Sequence, residues 1–396
     1  MVSINTSKKR IGILSFSNIS SDARVLRQVH AASKQYDVVV IGEGEWEPDN
    51  ENVLYHQVPR ISSNKQLIPI FLEYFSFFIN VLPIIWQSRK WLGVKFNFAY
   101  QKLVEANLDL IHINDFFALP SGMAAAFDSR AVSLFDAHEF SLDQKRLPKI
   151  KSWLLKFYAL YILKFLGIKA DSYITVSEGI AKLYNQRFGI DPAVILNAPE
   201  KVQIQRREFD PENIRIIHHG SAAPQRNLEL LIEVASLLDK RYSLHFMLLK
   251  DSKKYLDYLK GMAADKAPDK IHFHDPVDPK MIIGVISKFD IGIHVLYDNF
   301  LNHKYALPNK FFDYISAGLV VAIGPSTEMA QIVRRFNLGI VSPSFSPEVI
   351  AENLNSLPPS EVKNMRHASL NASNYLNAEI EMQKLSDIYQ GLLAKK

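Results

Sequence analysis

The sequence predicts an α/β protein that contains two doubly wound parallel sheets. Residues 11–16 and 38–41 form apolar, strand-like runs on either side of a helical pattern at 23–35, which is a β-α-β unit. A second unit of this kind begins at 215–219, after an irregular, charged stretch at 200–212. Because 396 residues are too many for one ordinary core, we expect two domains.

The composition excludes several classes of protein. Hydrophobic residues make up 48% and charged residues 22% of the chain, which is typical of a globular protein and argues against global disorder. The absence of cysteine excludes disulfides, thiolate nucleophiles and cysteine metal sites. The amino-terminal segment shows no apolar stretch of signal-peptide length before the first strand, so a cytoplasmic protein is expected.

The net charge of +5 suits an anionic partner, either nucleic acid, a membrane surface or a small substrate. No zinc-finger spacing, RNA-reading motif or basic run supports nucleic acid, so we expect no nucleic-acid partner. The dinucleotide fingerprint GxGxxG is absent from the first β-α turn, which argues against a nicotinamide dehydrogenase. No metal motif is readable either, and no metal is expected.

The stretch at residues 305–323, YALPNKFFDYISAGLVVAI, predicts a ligand site. Proline suits the first turn of a helix, so a helix should begin near Pro308 or Asn309. The unpaired N–H groups and positive dipole end of that helix, together with the charge of Lys310, suit a phosphate. Asp313 lies inside this otherwise apolar helix, where an exposed or capping carboxylate is the ordinary interpretation.

A loop of small residues, GSAAP, follows the first strand of the second half of the chain. Small residues let the backbone approach a ligand closely, and here they are Gly220 and Ser221 at the start of the loop. Arg226 follows, at the predicted start of a helix over residues 225–238, where a guanidinium can pair with phosphate oxygens. The loop is therefore a second candidate phosphate contact.

Polar residues also follow the predicted strands of the first half. Asp115 follows one apolar run, and His138 and Glu139 follow the next, in LFDAHEF. The loop after the first strand carries Ser20 and Asp22, for which helix capping and substrate contact both remain open. Since parallel sheets place their sites at the carboxyl ends of the strands, we expect a site there.

Two apolar passages raise the question of a membrane. Residues 67–86 are long enough to span a bilayer, but Glu73 and two prolines argue against spanning. Residues 149–169 mix lysines with aromatic residues and leucines, which fits a helix lying in a membrane interface. The alternative for both passages is an ordinary core or surface helix of the first domain.

Nine segments, taken in order, resemble the retaining GT-B glycosyltransferases, in particular glycosyltransferase family 4. The segments are SSDARVLRQ, DLIHIND, LFDAHEF, ITVSEGIAKLY, ILNAP, HHGSAAPQRNLELLI, FDIGIHVL, YALPNKFFDYISAGLVVA and EIEMQKLSDIYQGLL. Each is short, so their order and spacing over almost the whole chain carry the resemblance.

The resemblance implies a GT-B fold, in which two Rossmann-like doubly wound domains face a cleft. An acceptor-binding domain would cover residues 1–198, a nucleotide-sugar-binding domain 199–376, and a helix at 377–396 would cross back to the first domain. The donor would be a UDP- or GDP-sugar, with no obligatory cofactor. The acceptor would be a glycan or lipid-linked molecule in cell-surface polysaccharide biosynthesis, at the inner face of the cell membrane.

The resemblance also implies roles for individual residues. Asp313 matches a helix acid, usually glutamate, that holds the ribose, while Arg226 and Lys310 would hold the diphosphate and act with His138 in catalysis. His138 lies near the position where the family places a histidine beside the transferred sugar. The implied donor contacts are Gly220, Ser221, Arg226, Asn309, Lys310 and Asp313. The implied acceptor or sugar contacts are Ser20, Asp22, Asp115, His138 and Glu139.

Four positions depart from the family pattern. Arg226 stands where a lysine is usual, and Asp313 is one methylene shorter than the usual glutamate. Ser221 stands where an arginine is common, and Tyr305 stands where the E-x7-E pair places its first acid. These departures predict fewer donor contacts than usual. Two rival interpretations therefore stay open, a nucleotide-sugar epimerase on the same fold and a GT-B scaffold without donor binding.

Overall fold

The computed structural model of the protein describes residues 8–59, 94–143, 149–250 and 252–395. The chain forms two compact α/β units, Met1–Ile195 with Glu381–Lys396, and Leu196–Ile380. Each unit is built on one sheet whose recorded strand pairs are all parallel. The prediction of an α/β chain with two parallel sheets is confirmed.

The first unit contains a sheet flanked by helices. Its described strands are β1 Arg10–Asn18, β2 Asp37–Glu43, β3 Val53–Gln57, β4 Leu110–Asn114, β5 Val132–Ala137, β6 Ser172–Thr175 and β7 Ala193–Val194. Its described helices are α1 Ala23–Ser33, α2 Val94–Glu105, α3 Leu119–Ser129, α4 Lys149–Phe165 and α5 Glu178–Phe188, with short 3-10 helices at Ile19–Ser21 and Gly167–Lys169.

The strand order of this sheet is β3-β2-β1-β4-β5-β6-β7. The order reverses beside β1, which pairs with β2 on one side and β4 on the other. At such a reversal the loops that follow the two central strands run to opposite faces of the sheet and leave a crevice at the carboxyl edge. The ends of β1, β4 and β5 therefore form the expected location of a site.

The core of the first unit follows from unbroken apolar runs in the central strands. Ile11 and Ile13 of β1 and Val40 of β2 are fully buried, as expected of parallel strands covered by helices on both faces. Leu385 and Tyr389, near the end of the chain, lie fully buried in the same core. The last helix thus contributes to the core of the first unit.

The second unit has the same plan. Its described strands are β8 Ile214–Ser221, β9 Tyr242–Leu249, β10 Ile271–His274, β11 Ile291–His294, β12 Val320–Ile323 and β13 Gly339–Val341, in the order β10-β9-β8-β11-β12-β13. Its described helices are α6 Glu229–Leu237, α7 Lys253–Lys266, α8 Ile282–Ile286, α9 Leu301–Lys304, α10 Asn309–Ser316, α11 Thr327–Phe336, α12 Pro347–Asn355 and α13 Pro359–Ala372, with 3-10 helices at Pro224–Arg226 and Pro279–Met281. Helix α14, Ala378–Leu393, follows them. The order reverses between β8 and β11.

Helix α10 begins where the sequence predicts. Pro308 is its extended N-cap residue, with φ −72° and ψ 151°, and Asn309 is its first helical residue. Phe311 and Phe312 are fully buried and fix the inner face of the helix. Gly318 adopts φ +66°, the left-handed conformation that lets the chain turn from the helix into β12.

The predicted helix at residues 225–238 is wrong at its start. The chain instead forms a 3-10 helix at Pro224–Arg226 and begins α6 at Glu229. Asn227, between them, adopts φ +47°, a left-handed conformation that breaks the helical hydrogen-bond ladder. Arg226 therefore lies in a separate turn before α6 and not in its first turn.

The two apolar passages have different outcomes. Residues 67–86 lie outside the described residues. Helix α4 buries Tyr158 and Ile162 in the first unit, while Phe157 and Phe165 stay about half exposed. Among the described residues, no helix is both long and apolar enough to cross a bilayer.

Candidate functional site

The predicted site residues fall into two groups, one at the carboxyl edge of each sheet. The first unit holds Ser20, Asp22, Asp115, His138 and Glu139. The second unit holds Gly220, Ser221, Arg226, Asn309, Lys310 and Asp313. Each group is described within its own unit.

The first group is organised by Asp136, a fully buried carboxylate near the end of β5. Arg24 of α1 donates two hydrogen bonds to it, from Nε to Oδ2 at 2.8 Å and from Nη2 to Oδ1 at 2.9 Å. Gln28, one turn further along α1, donates from Nε2 to Oδ2 at 2.7 Å. Burial alone would raise the pKa of Asp136, but Arg24 and His138 hold it well below its usual range. Asp136 is therefore a fixed negative charge.

His138 lies against that charge. Its Nε2 is 3.1 Å from both Asp136 Oδ2 and Asn114 Oδ1, and its Nδ1 is 3.7 Å from Asp115 Oδ2. Burial lowers the pKa of His138, but the charges of Asp136 and Asp115 outweigh burial and raise it to about 9. At neutral pH the ring is an imidazolium, which donates hydrogen bonds and cannot serve as a base.

The remaining residues of the first group differ in their environments. Asp115 adopts φ +64° directly after β4, and its side chain is 48% exposed, so its carboxylate is open to a ligand. Asp22 accepts hydrogen bonds from the backbone N–H groups of Arg24 and Val25, which makes it the N-cap of α1. Ser20 and Glu139 are exposed. The capping interpretation of Asp22 is confirmed, and substrate contact by Ser20, Asp22 and Glu139 stays a prediction.

The pKa of His138 predicts how stability depends on pH. Because its pKa is raised from 6.5 to about 9 in the folded protein, its contribution is complete below about pH 6.5 and is lost as the pH rises through 9. We expect the free energy of unfolding of the first unit to fall over this interval, and to fall less in His138→Gln. All four tryptophans lie in the first unit, so urea titrations followed by fluorescence measure this unit. Equal slopes in both proteins would contradict the assignment.

The second group is organised by Lys310 in the first turn of α10. Its Nζ is 3.2 Å from Nε2 of His218 on β8. A Cβ built on Gly220 would lie 2.9 Å from the same Nζ, and Gly220 has φ +124°. The positive φ therefore favours glycine at the end of β8, and the missing side chain leaves room for the amine of Lys310.

Positive charge is concentrated around Lys310. Burial has the largest effect on the pKa of Lys310 and, together with the charge of Arg226, lowers it to about 7. The charge of Asp313 acts in the opposite direction and has a smaller effect. Arg226 is half-buried, while Asn309 is exposed at the start of α10. Its N-cap residue, Pro308, makes no side-chain capping hydrogen bond. A partly buried ammonium, a guanidinium and the first N–H groups of a helix are together suited to an anion such as a phosphate.

Asp313 lies one turn beyond Lys310 on α10 and is mostly buried, with 15% of its side chain exposed. Its Oδ2 is 3.5 Å from Nε2 of His219, and burial followed by the charge of Lys310 lowers the pKa of His219 to about 3. His219 is thus neutral, and the carboxyl group of Asp313 acts on Lys310, whose pKa it raises. The ordinary interpretation of Asp313 as an exposed carboxylate is wrong.

Sequence reasoning missed several residues of both groups. Asp136 ends an apolar run and Arg24 lies in a helical pattern, and neither carries a sequence signal of a site. His218 and His294, at the ends of β8 and β11, are 2% exposed and were assigned no role. Both ring nitrogens of His294 lack a hydrogen-bond partner among the described residues. The signal was available in the doublet His218-His219 before a glycine, since two histidines at a strand end are unusual for a purely apolar core.

Within the described residues, no group of three or more histidine and acidic side chains is placed to hold a metal ion.

Comparison with known proteins gives a family match over part of the chain and similar folds over nearly all of it. Residues 23–200 match the family model described as Glycosyltransferase Family 4. No curated protein matches the chain.

Solved structures resemble the chain over nearly its whole length. A glycosyltransferase from Rickettsia africae has 14% identity and a TM-score of 0.71, covering 98% of this chain and 100% of its own. Anabaena HepE in complex with UDP-glucose has 13% identity and a TM-score of 0.68, covering 96% and 99%. Sucrose-phosphate synthase from Thermosynechococcus elongatus has 12% identity and a TM-score of 0.71, covering 98% and 100%. The family match covers residues 23–200, less than half of the chain, and the solved structures share the fold of nearly the whole chain.

Proposed function

We propose that the protein is a retaining glycosyltransferase that moves a sugar from a UDP- or GDP-sugar to a glycan or lipid-linked acceptor of cell-surface polysaccharide. The observation that carries the proposal is the cationic group at the start of α10, where Lys310 lies between His218 and Gly220 with Arg226 nearby. A diphosphate is the part of such a donor that needs this charge. Anabaena HepE, which shares the fold, was crystallised with UDP-glucose.

The donor contacts follow from the charges. Lys310, Arg226 and the first N–H groups of α10 hold the diphosphate, with Gly220 and Ser221 giving backbone access and Asn309 lying at the helix start. Asp313 is negative and lies one helical turn away from Lys310, so it accepts hydrogen bonds from the ribose hydroxyls and not from the phosphates.

The chemistry needs stabilisation of the leaving group more than a side-chain nucleophile. As the bond between the anomeric carbon and the diphosphate oxygen breaks, negative charge develops on that oxygen, where Lys310 and Arg226 stabilise it. The acceptor oxygen bonds to the anomeric carbon on the same face, and its proton passes to the leaving phosphate. Because His138 is protonated at neutral pH, it is unsuited to take that proton and instead donates hydrogen bonds to a sugar or acceptor hydroxyl.

The direct test of the proposal is donor binding. Calorimetry with UDP and GDP should detect one of them, after which a screen of nucleotide sugars should show release of the nucleoside diphosphate. A nucleotide-sugar epimerase would return an isomeric nucleotide sugar without releasing the diphosphate. A non-catalytic scaffold would bind neither nucleotide. Either result would overturn the proposal.

Replacing Asp313 with alanine should raise the KM for the donor by about tenfold to a hundredfold, because the hydrogen bonds of a charged carboxylate to the ribose are lost. Steady-state kinetics with varied donor concentration measures this change. Asp313→Glu is the matched control, since the family usually has glutamate there, and it should keep the KM within a few-fold. Unchanged kinetics in Asp313→Ala would remove Asp313 from the donor site.

The exposed side chains of α4 and of the turn after it support a location of the protein at a membrane surface. Phe157, Phe165 and Ile168 are between 41% and 55% exposed. The exposed lysines beside them are Lys156, Lys164 and Lys169. Aromatic side chains with flanking lysines suit an anionic bilayer surface, where a lipid-linked acceptor would be found.

The protein should therefore sediment with vesicles of anionic lipid at low salt and be released at high salt, since screening weakens attraction to the surface. The double variant Lys156→Glu/Lys164→Glu should stay in the supernatant. Its matched control is Lys254→Glu/Lys260→Glu, which reverses two exposed lysines of α7 in the second unit. Equal sedimentation of both variants would show that α4 is not the contact, and no sedimentation of the unchanged protein would exclude membrane docking.

A further inference from the structure

The hydrogen bonds of His218 determine which of its ring nitrogens can accept a proton. Nδ1 lies 2.8 Å from the backbone carbonyl oxygen of Ile293 on the neighbouring strand β11. A carbonyl oxygen only accepts, so Nδ1 carries the hydrogen. Burial, and then the charge of Lys310, hold the pKa of His218 well below its usual range, so the ring is neutral. Its Nε2 therefore has a free lone pair and acts only as an acceptor.

That acceptor faces the amine of Lys310, 3.2 Å away. Gly220, which has no side chain, leaves room for the amine at the end of β8. His218 and Gly220 lie two residues apart on one strand, so β8 supplies both the acceptor for the amine and the space that it occupies. A lysine side chain has four rotatable bonds, so a hydrogen bond to a side chain on a strand limits where its charge lies.

We propose that His218 is a positioning residue that holds the amine of Lys310 in place for the diphosphate of the nucleotide-sugar donor. The identity of the ligand in this inference rests on the proposed function. The contact between His218 and Lys310 does not, since it is observed in the structure. His218 itself does not touch the reacting atoms in this assignment.

The charged and titratable groups around the amine come from four elements. They are His218 and His219 on β8, His294 on β11, Arg226 in the 3-10 helix and Asp313 on α10. The three histidines are neutral, because burial and the charge of Lys310 lower their pKa values. A bound diphosphate would favour the protonated lysine, so the affinity for UDP should be greatest below pH 7 and decline above it.

Two variants of His218 distinguish a residue that positions the Lys310 amine from one that only packs in the core. His218→Gln places an acceptor oxygen where Nε2 was, whereas His218→Asn keeps an N–H donor where Nδ1 was and removes the acceptor. If His218 positions Lys310, the affinity for UDP at pH 7 should fall about tenfold in His218→Asn and stay within about threefold in His218→Gln. The decline of affinity with pH should also begin at lower pH in His218→Asn. A stronger loss in His218→Gln, or no loss in His218→Asn, overturns the proposal.

A second measurement does not require a donor. Competitive acetylation followed by mass spectrometry gives the pKa of Lys310 in the ligand-free protein. Removing the acceptor should lower this pKa in His218→Asn and leave it near 7 in His218→Gln. If the unchanged protein binds neither UDP nor GDP, the proposed function fails while this comparison still decides the role of His218. An equal Lys310 pKa in the two variants overturns it.

Discussion

Replacing Lys310 with alanine should reduce kcat/KM for the donor by about a hundredfold or more. The side chain carries the positive charge closest to the proposed diphosphate, and charge on the leaving group is greatest in the transition state. Its burial strengthens this interaction relative to a lysine in water. Initial rates of nucleoside diphosphate release, measured at several donor concentrations, give the change directly.

Two further variants make this prediction specific. Lys310→Met keeps most of the apolar stem and removes the charge, so it should be about as impaired as Lys310→Ala. Lys288→Ala removes an exposed lysine from the same unit and should leave kcat/KM within about twofold of the unchanged enzyme. Nearly full activity in Lys310→Met would show that the side chain acts by packing and not by charge.

The architecture could be predicted from the sequence because its signals are local. The apolar run at Val320–Ile323 reads as a buried parallel strand, and Pro308 marks the start of α10. A last helix is expected within residues 377–396 and occurs at Ala378–Leu393. Hydrophobic periodicity and helix-end residues act over a few positions, so they are visible without a structure.

The key contacts of the candidate sites were not visible because they join distant parts of the chain. Arg24 and Asp136 are 112 residues apart, and His218 and Lys310 are 92 residues apart. Nothing in the helical pattern around Arg24 distinguishes a side chain that is 6% exposed from a solvated one. The role of His218 likewise depends on a backbone carbonyl of another strand.

The misplaced helix start near Arg226 has a different cause. The apolar spacing of α6 was read correctly, but the pattern does not show that Asn227 adopts a left-handed conformation. Asparagine does so more readily than most residues, which is a turn signal that competes with helix extension. Arg226 consequently lies on a short turn before the helix.

The two units use histidine in opposite ways. In the first unit, negative charge at Asp136 and Asp115 makes His138 a cation. In the second, burial and the charge of Lys310 keep His218 and His219 neutral. The same side chain is thus a hydrogen-bond donor in the first unit and offers an acceptor nitrogen in the second.

Replacing Asp136 with asparagine should destabilise the first unit by about 3–5 kcal/mol, because it removes the partner of a buried arginine. Arg24 would keep its hydrogen bond to the carbonyl oxygen of Ile195 but lose the bidentate pair with the carboxylate. His138 would lose the charge that raises its pKa most. Urea unfolding followed by tryptophan fluorescence measures the change in the first unit.

The matched control is Asp37→Asn, which removes an acid whose ion pair with Lys8 is 3.7 Å long and exposed. Surface pairs of this kind contribute about 0–1 kcal/mol, so the control should unfold almost like the unchanged protein. Asp136→Asn should also lower the pKa of His138, which NMR of the imidazole ring can follow. A small loss of stability together with an unchanged His138 pKa would show that Asp136 is not the charge around which the first site is organised.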